Sequence, residues 1–156
     1  MPSRHRSRQR ALQVLFQADI RQQPADEAIY AFYESLITSE EPPVETNERD
    51  PFMEQLVRET MSRLGEIDHR ITSHSEHWRI ERMPAVDRNI LRLAICEMTT
   101  TNTPPAVVID EAIELARRFS SDESVAFVNG VLDAIHRTSA SGDEITGPQE
   151  VPPEGQ

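Results

Sequence analysis

The chain of 156 residues contains no lysine; all 16 of its basic residues are arginine. Genome composition alone can produce that bias, so it carries no function by itself. A single cysteine, Cys96, excludes an internal disulfide. It lies in an apolar run, residues 90–98, and reads as a small buried hydrophobe rather than a nucleophile. No stretch approaches the apolar length of a membrane span. The arginine-rich start is not followed by an apolar core that could serve as a signal peptide. A cytoplasmic location with no membrane contact is therefore predicted. A glycine-rich phosphate loop and a serine nucleophile elbow are both missing. His69, His74 and His77 lie close together but match no strong metal-ligand spacing. The sequence thus predicts no catalytic residue, no metal and no cofactor. Internal repeats and strand-type alternation are absent as well.

What is present is acid, unevenly spread. The net charge of -11 argues against nucleic acid on its face. Yet residues 1–10 hold Arg4, Arg6, Arg8 and Arg10 and no acid, while residues 140–156 hold acids and no arginine. A Debye length of roughly 8 Å at physiological salt lets a local basic arm act despite distant acids.

The apolar spacing predicts an all-α protein of about seven helices in two packed subdomains, an N-terminal half near 7–65 and a C-terminal half near 66–138. The first helix, from about Ser7, is expected to bury Leu12, Leu15, Phe16 and Ile20. Asp26 is expected to cap the second, which buries Ile29, Phe32, Tyr33 and Leu36. Thr38 to Asn47 reads as an exposed loop. Asp50-Pro51 should cap a third helix that Gly65 ends. Ile67 and Ile71 mark a fourth, and Trp78, Ile80 and Met83 an apolar knot. Asp87 should cap a helix apolar on more than one face, hence central. Val108, Ala112, Leu115, Ala116 and Phe119 mark the sixth. Ser121-Asp122 should open the last, with Phe127, Val128, Val131, Leu132 and Ile135. Asn129-Gly130 signals a turn in isolation, but the apolar stripe runs through it, so helix is expected, with another helix approaching Gly130. Asp110-Glu111 and Asp122-Glu123 sit where helices open and suit the positive dipole end. From Ser139 onward the tail, rich in Gly, Pro, Ser and acids, is expected to be disordered through residue 156.

The arginines are spaced by two, a step of about 200° on a helix, so a regular helix cannot aim all four at one ligand. Arg8 and Arg10 are expected at the helix start, with Arg4 and Arg6 on a lead-in that orders on binding. Cations at a helix N-terminus oppose the dipole, which suits ligand binding.

Three stretches carry a family likeness. They are RQRALQVLFQ (8–17), WRIERMPAVDRNILRLAICE (78–97), and the run from Pro105 through VIDEAIELA (108–116) to FVNGVLD (127–133). In order and spacing, over residues 4–137, the chain resembles the NusB family of transcription antitermination proteins. The resemblance implies an all-helical, non-catalytic RNA-binding protein. It would pair with NusE, a small-subunit ribosomal protein, to bind boxA-type single-stranded RNA of nascent ribosomal RNA in the RNA polymerase antitermination complex. A ribosome-assembly role on the same RNA surface is an alternative, and a homodimer is left open.

The family's RNA surface corresponds to Arg4, Arg6, Arg8, Arg10, Phe16 and Phe127, with Asn129 nearby. Its partner-side residues correspond to Asp87, Arg88 and Arg92. Phe16 stands where the family often has tyrosine, so the ring can still stack but has no hydroxyl to hydrogen-bond. Phe16 and Phe127 also fit plain core positions, Asp87 a plain cap, and Arg92 a solvated flank. The basic lead-in and the start of the last helix are expected to form one surface. A fused methyltransferase of the kind found with NusB-like domains would need length and a cofactor loop that are not here. A DNA-binding helix-turn-helix would need a basic recognition helix, and no later helix is strongly basic.

Overall fold

The computed structural model describes residues 2–38, 49–75 and 79–141, with side chains as far as 139. Seven α-helices and no strand occur among the described residues: α1 (Arg4–Arg21), α2 (Ala25–Ile37), α3 (Pro51–Ser62), α4 (Leu64–His74), α5 (Ala85–Thr100), α6 (Pro105–Phe119) and α7 (Asp122–Ser141). A single 3-10 turn, Ile80–Arg82, precedes α5. The all-α expectation is met. No helix among the described residues is long and apolar enough to cross a membrane. The chain divides into two compact units, one ending at Ser62 and the other beginning at Arg63.

In the first unit α1, α2 and α3 each touch the other two. Ala11, Leu12, Val14, Leu15 and Ala18 of α1 are buried, as are Ala28, Ile29 and Phe32 of α2 and Met53, Leu56 and Val57 of α3. Each large apolar side chain so removed from water contributes about 1.5–3 kcal/mol relative to its exposed state. Asp50 caps α3 as expected, its Oδ1 accepting the Met53 amide at 3.1 Å. Beside it, Glu54 accepts both Arg49 Nη2 at 2.7 Å and the Tyr33 hydroxyl at 2.7 Å. The Tyr33 oxygen in turn accepts the Asp50 amide at 2.8 Å. Burial pushes the Tyr33 hydroxyl up to about 12, helped by its bond to Glu54. Burial also pushes the Glu54 carboxyl up, but the bonds from Arg49 and Tyr33 and the charges of Arg49 and Arg58 outweigh it and hold the group below its usual range.

In the second unit α5 touches α4, α6 and α7. Residues 90–97 of α5 are all buried, Cys96 among them, as expected for a central helix. Ile67 and Ile71 of α4, Val108, Ala112, Leu115 and Ala116 of α6, and Val128, Val131, Leu132 and Ile135 of α7 complete that core. Ser121 opens α7, its Oγ accepting the Ser124 amide at 3.1 Å. Helix α7 passes through Asn129-Gly130 without a break.

Several local expectations are corrected. Helix α1 begins at Arg4, not near Ser7, so Arg4 and Arg6 are helical rather than a loose lead-in. Asp26 lies inside the first turn of α2, and the residue before the helix is Pro24 in extended backbone, which offers no side-chain cap. Asp26 pairs instead with Arg58 of α3. Asp87 is likewise the third residue of α5, behind Pro84. Gly65 lies within α4; the α3–α4 break falls at Arg63, whose φ of -118° needs no glycine. Ile20 and Phe119, expected in the core, are exposed. A Cβ at Gly130 would meet nothing within 4 Å, so no helix packs closely there. Helix α7 continues to Ser141, beyond the expected start of the tail. The remaining tail, His77 and Trp78, and the greater part of the Thr38–Asn47 loop lie outside the described residues. Among the described residues no group of three metal-ligating side chains occurs.

Candidate nucleic-acid interface

A helix opening on arginines should be frayed by its own dipole. Local and tertiary bonds hold α1 closed. Ser3 caps it, its Oγ accepting the Arg6 amide at 3.1 Å. One turn on, the Ser7 hydroxyl donates to Asp50 Oδ1 at 2.7 Å, and Arg10 Nη1 donates to Asp50 Oδ2 at 3.3 Å. The carboxylate that caps α3 thus also anchors α1.

The four arginines therefore separate by role. Arg10 is 5% exposed and committed to Asp50, which makes it a structural cation rather than a phosphate contact. Its Nη2 is buried without a hydrogen-bond partner among the described residues. Arg8 is buried too, its guanidinium 5.7 Å from the Phe52 ring centre. Arg4 and Arg6 are exposed, Arg4 lying 4.0 Å over the same ring.

Phe16 is 38% exposed and Ile20, one turn further, 56% exposed. With Arg6 and Gln13, also exposed, and half-buried Gln9, they follow the spacing of one helical face. That stripe extends about 21 Å at 1.5 Å per residue. It is basic at one end, carries amides in the middle, and ends in Phe16, whose ring can stack on a base, and aliphatic Ile20. Sequence reasoning found Arg6 and Phe16 but missed Gln9 and Gln13, whose signal is their helical spacing from Arg6.

In the second unit the opening of α7 is built around Asp87. Its two carboxylate oxygens accept the Ser120 hydroxyl at 2.7 Å and the Ser124 hydroxyl at 2.6 Å. Past this clamp Phe127 is half-buried, Val128 buried, and Asn129 and Gly130 exposed. The residues assigned to the partner side are turned inward. Asp87 is 3% exposed, and Arg92 is buried, with Nε and Nη2 donating to Asp68 at 2.8 and 2.9 Å and Nη1 to Asn89 Oδ1 at 3.2 Å. Arg88 is half-buried and donates to the Met83 carbonyl at 3.2 Å. All three thus brace the fold, and the exposed edge left for a partner at this point is small.

The open space at Gly130 has a measurable consequence. Gly130→Ala is expected to raise stability by about 1 kcal/mol, because a helical alanine costs less backbone entropy and its methyl meets nothing. Thermal unfolding by circular dichroism checks it; a lower Tm would mean that the site is more crowded than its surroundings indicate.

Comparison with known proteins places the chain. The NusB family pattern matches residues 5–137. The transcription antitermination protein NusB of Solibacter usitatus (strain Ellin6076) is 62% identical over 137 residues, covering 88% of this chain and 90% of that protein. The solved structure of T. maritima NusB superposes with a TM-score of 0.71 at 33% identity, over 87% of this chain and 92% of that one. A crystal structure of the antitermination factors NusB and NusE in complex with dsRNA gives a TM-score of 0.72 at 27% identity, over 88% and 99%. Family pattern, sequence identity and fold agree over nearly the same residues, and the chain belongs to the NusB family of non-catalytic transcription antitermination factors.

Proposed function

We propose that this chain, together with a NusE-type ribosomal protein, binds the boxA element of nascent ribosomal RNA and so supports processive transcription by the antitermination complex. The observation that carries the reading is the exposed α1 stripe that opens on Arg6, with exposed Arg4 on the opposite side of the same first turn, in a chain whose net charge is -11. Arginines neutralise phosphates and release counterions, which gives affinity without sequence choice. Phe16 offers a face on which an unstacked base can lie, and Gln9 and Gln13 offer amides to base edges. The reading extends to Phe127 and Asn129 of α7, which offer a ring and an amide of the same kind. The acidic body makes a basic partner useful, since it would raise local positive potential around the shared RNA. A related NusB has been solved with NusE in complex with dsRNA, which supports joint binding of RNA by the two proteins.

The test is titration of labelled boxA-type RNA into the protein with and without NusE. Arg4→Ala/Arg6→Ala is expected to weaken binding at least tenfold and to lower the salt slope by about 1.4, the value for removing two phosphate-binding cations from a single-stranded RNA complex. Unchanged affinity and slope would remove α1 from the interface. Equal affinity with and without NusE would remove the cooperative part.

A further inference from the structure

We propose that Asp50 is a positioning residue for RNA binding: through Ser7 and Arg10 it holds the opening of α1 in the helical form that presents Arg6 and Gln9. This rests on the reading of the α1 stripe as an RNA surface and adds to it a residue that touches no RNA. Arg10, which the family resemblance places among the RNA contacts, becomes part of the support.

Residues 4–10 contain no apolar side chain. From Ala11 onward α1 is pinned by buried Ala11, Leu12, Val14, Leu15 and Ala18. The first two turns have no such packing, and they carry four arginines and no acid, a charge that opposes the helix dipole. Hydrogen bonds must do there what apolar burial does further on. Ser3 supplies a local cap by accepting the Arg6 amide at 3.1 Å. Two tertiary ties run to Asp50. The Ser7 hydroxyl donates to Oδ1 at 2.7 Å and Arg10 Nη1 to Oδ2 at 3.3 Å, and all three residues are buried. Asp50 is itself fixed, because Oδ1 also accepts the Met53 amide and so caps α3.

The ties leave the stripe free. At about 100° per residue, Ser7 lies roughly 140° round α1 from the middle of the row of Arg6, Gln9, Gln13, Phe16 and Ile20, and Arg10 roughly 80°. Holding these two side chains fixes the rotation of the first turns without covering the row. Arg10 also keeps Nη2 buried with no hydrogen-bond partner among the described residues, a cost that an arginine turned out to meet phosphate would escape. RNA that needs the opening closed binds only the closed fraction, so its apparent affinity scales with that fraction.

The experiment measures affinity for labelled boxA-type RNA with NusE present, over a range of salt, on variants shown by circular dichroism to be folded at the assay temperature. Ser7→Ala removes one tie and leaves the cap of α3 in place. It is expected to weaken binding about tenfold, the factor by which one bond to a charged acceptor shifts a local closing equilibrium. The salt slope should stay within about 0.3 of the parent, because the bound complex keeps the same phosphate contacts. In an Arg4→Ala/Arg6→Ala background Ser7→Ala should do far less, since the groups it helps to place are gone. Arg10→Met is expected to weaken binding about fivefold at unchanged slope, by stranding the Asp50 charge. Adding Asp50→Asn should bring affinity back to within about twofold of the parent, because asparagine still accepts from Ser7 and from the Met53 amide. A slope lower by about 0.7 in Arg10→Met, with no recovery in the double variant, would make Arg10 a phosphate contact and overturn the proposal. Full affinity in Ser7→Ala, where Arg4→Ala/Arg6→Ala loses it, would overturn the proposal and leave the RNA surface standing. Full affinity in both would remove that surface and the proposal with it. A second readout needs no RNA: Ser7→Ala should speed amide hydrogen exchange at residues 7–10 and leave residues 14–18 protected. Unchanged exchange at 7–10 would show that the opening stays closed without the tie, and would overturn the proposal as well.

Discussion

Asp50→Ala is expected to cost about 4 kcal/mol, the largest loss of any single polar substitution in the first unit. Three contributions meet in one carboxylate. It caps α3 through the Met53 amide, and removal of an Asp cap costs about 0.5–2 kcal/mol. It accepts the buried Ser7 hydroxyl, a bond to a charged acceptor of about 1.5–3 kcal/mol. It neutralises buried Arg10, and stranding one partner of such a pair costs about 3–5 kcal/mol. These overlap, since losing the carboxylate lets α1 loosen and Arg10 reach water, so the sum is not reached. For a chain of this size the fall in Tm should be about 12 °C. The double variant Asp50→Ala/Arg10→Met separates the contributions: removing the stranded charge should return part of the loss. Chemical denaturation of the three proteins measures it. A cost below about 1 kcal/mol for Asp50→Ala would mean that Arg10 and Ser7 find water as easily as they find Asp50.

That carboxylate also marks how far the sequence can be read. The Asp50-Pro51 cap, the central α5, the Ser121 cap and the helix through Asn129-Gly130 are all legible, because each signal lies within a few residues of what it controls. The start of α1 is not. Ser3 is a local cap signal that sequence reasoning missed, but the rest of the closure depends on a bond from Ser7 to a residue 43 positions away, which spacing alone cannot show. The same holds for Arg92, which looks like a solvated flank of α5 until Asp68, 24 residues earlier, is seen beneath it. Asp26 and Asp87 look like caps in the sequence and are not, for a local reason. A proline precedes each helix and enters it from extended backbone, which moves the acid into the first turn and frees its carboxylate for tertiary partners. Phe16 and Ile20 show the remaining limit. Periodicity places them on the flank of the stripe that buries Leu12 and Leu15, but whether a flank is covered depends on what packs there.

Asp87→Ala should be the most damaging polar substitution in the second unit, at about 3 kcal/mol. The carboxylate accepts Ser120 and Ser124 hydroxyls, each bond to a charged acceptor being worth about 1.5–3 kcal/mol. It also sits in the first turn of α5, where an acid gains about 0.3–1 kcal/mol from the dipole. Ser120 is exposed and regains water on losing its partner, which keeps the total below the sum; Ser124 is buried and does not. Asp87→Asn tests the assignment more sharply. A serine hydroxyl can turn from donor to acceptor, so one bond can reform to the amide nitrogen, and about half the loss should be recovered. The damage should also be local. Ser120, Ser121 and Ser124 are joined in one hydroxyl network with Asp87, and Ser124 lies within the first turn of α7. Amide hydrogen exchange should therefore speed up first at residues 123–128, while residues 90–97 of α5 keep their protection. Phe127 and Asn129 follow directly on that turn, so RNA affinity in Asp87→Asn should fall more than its small loss of global stability would suggest. Uniform loss of protection along α5 and α7 alike would show Asp87 to be core support for the whole unit and not a clamp on the opening of its last helix.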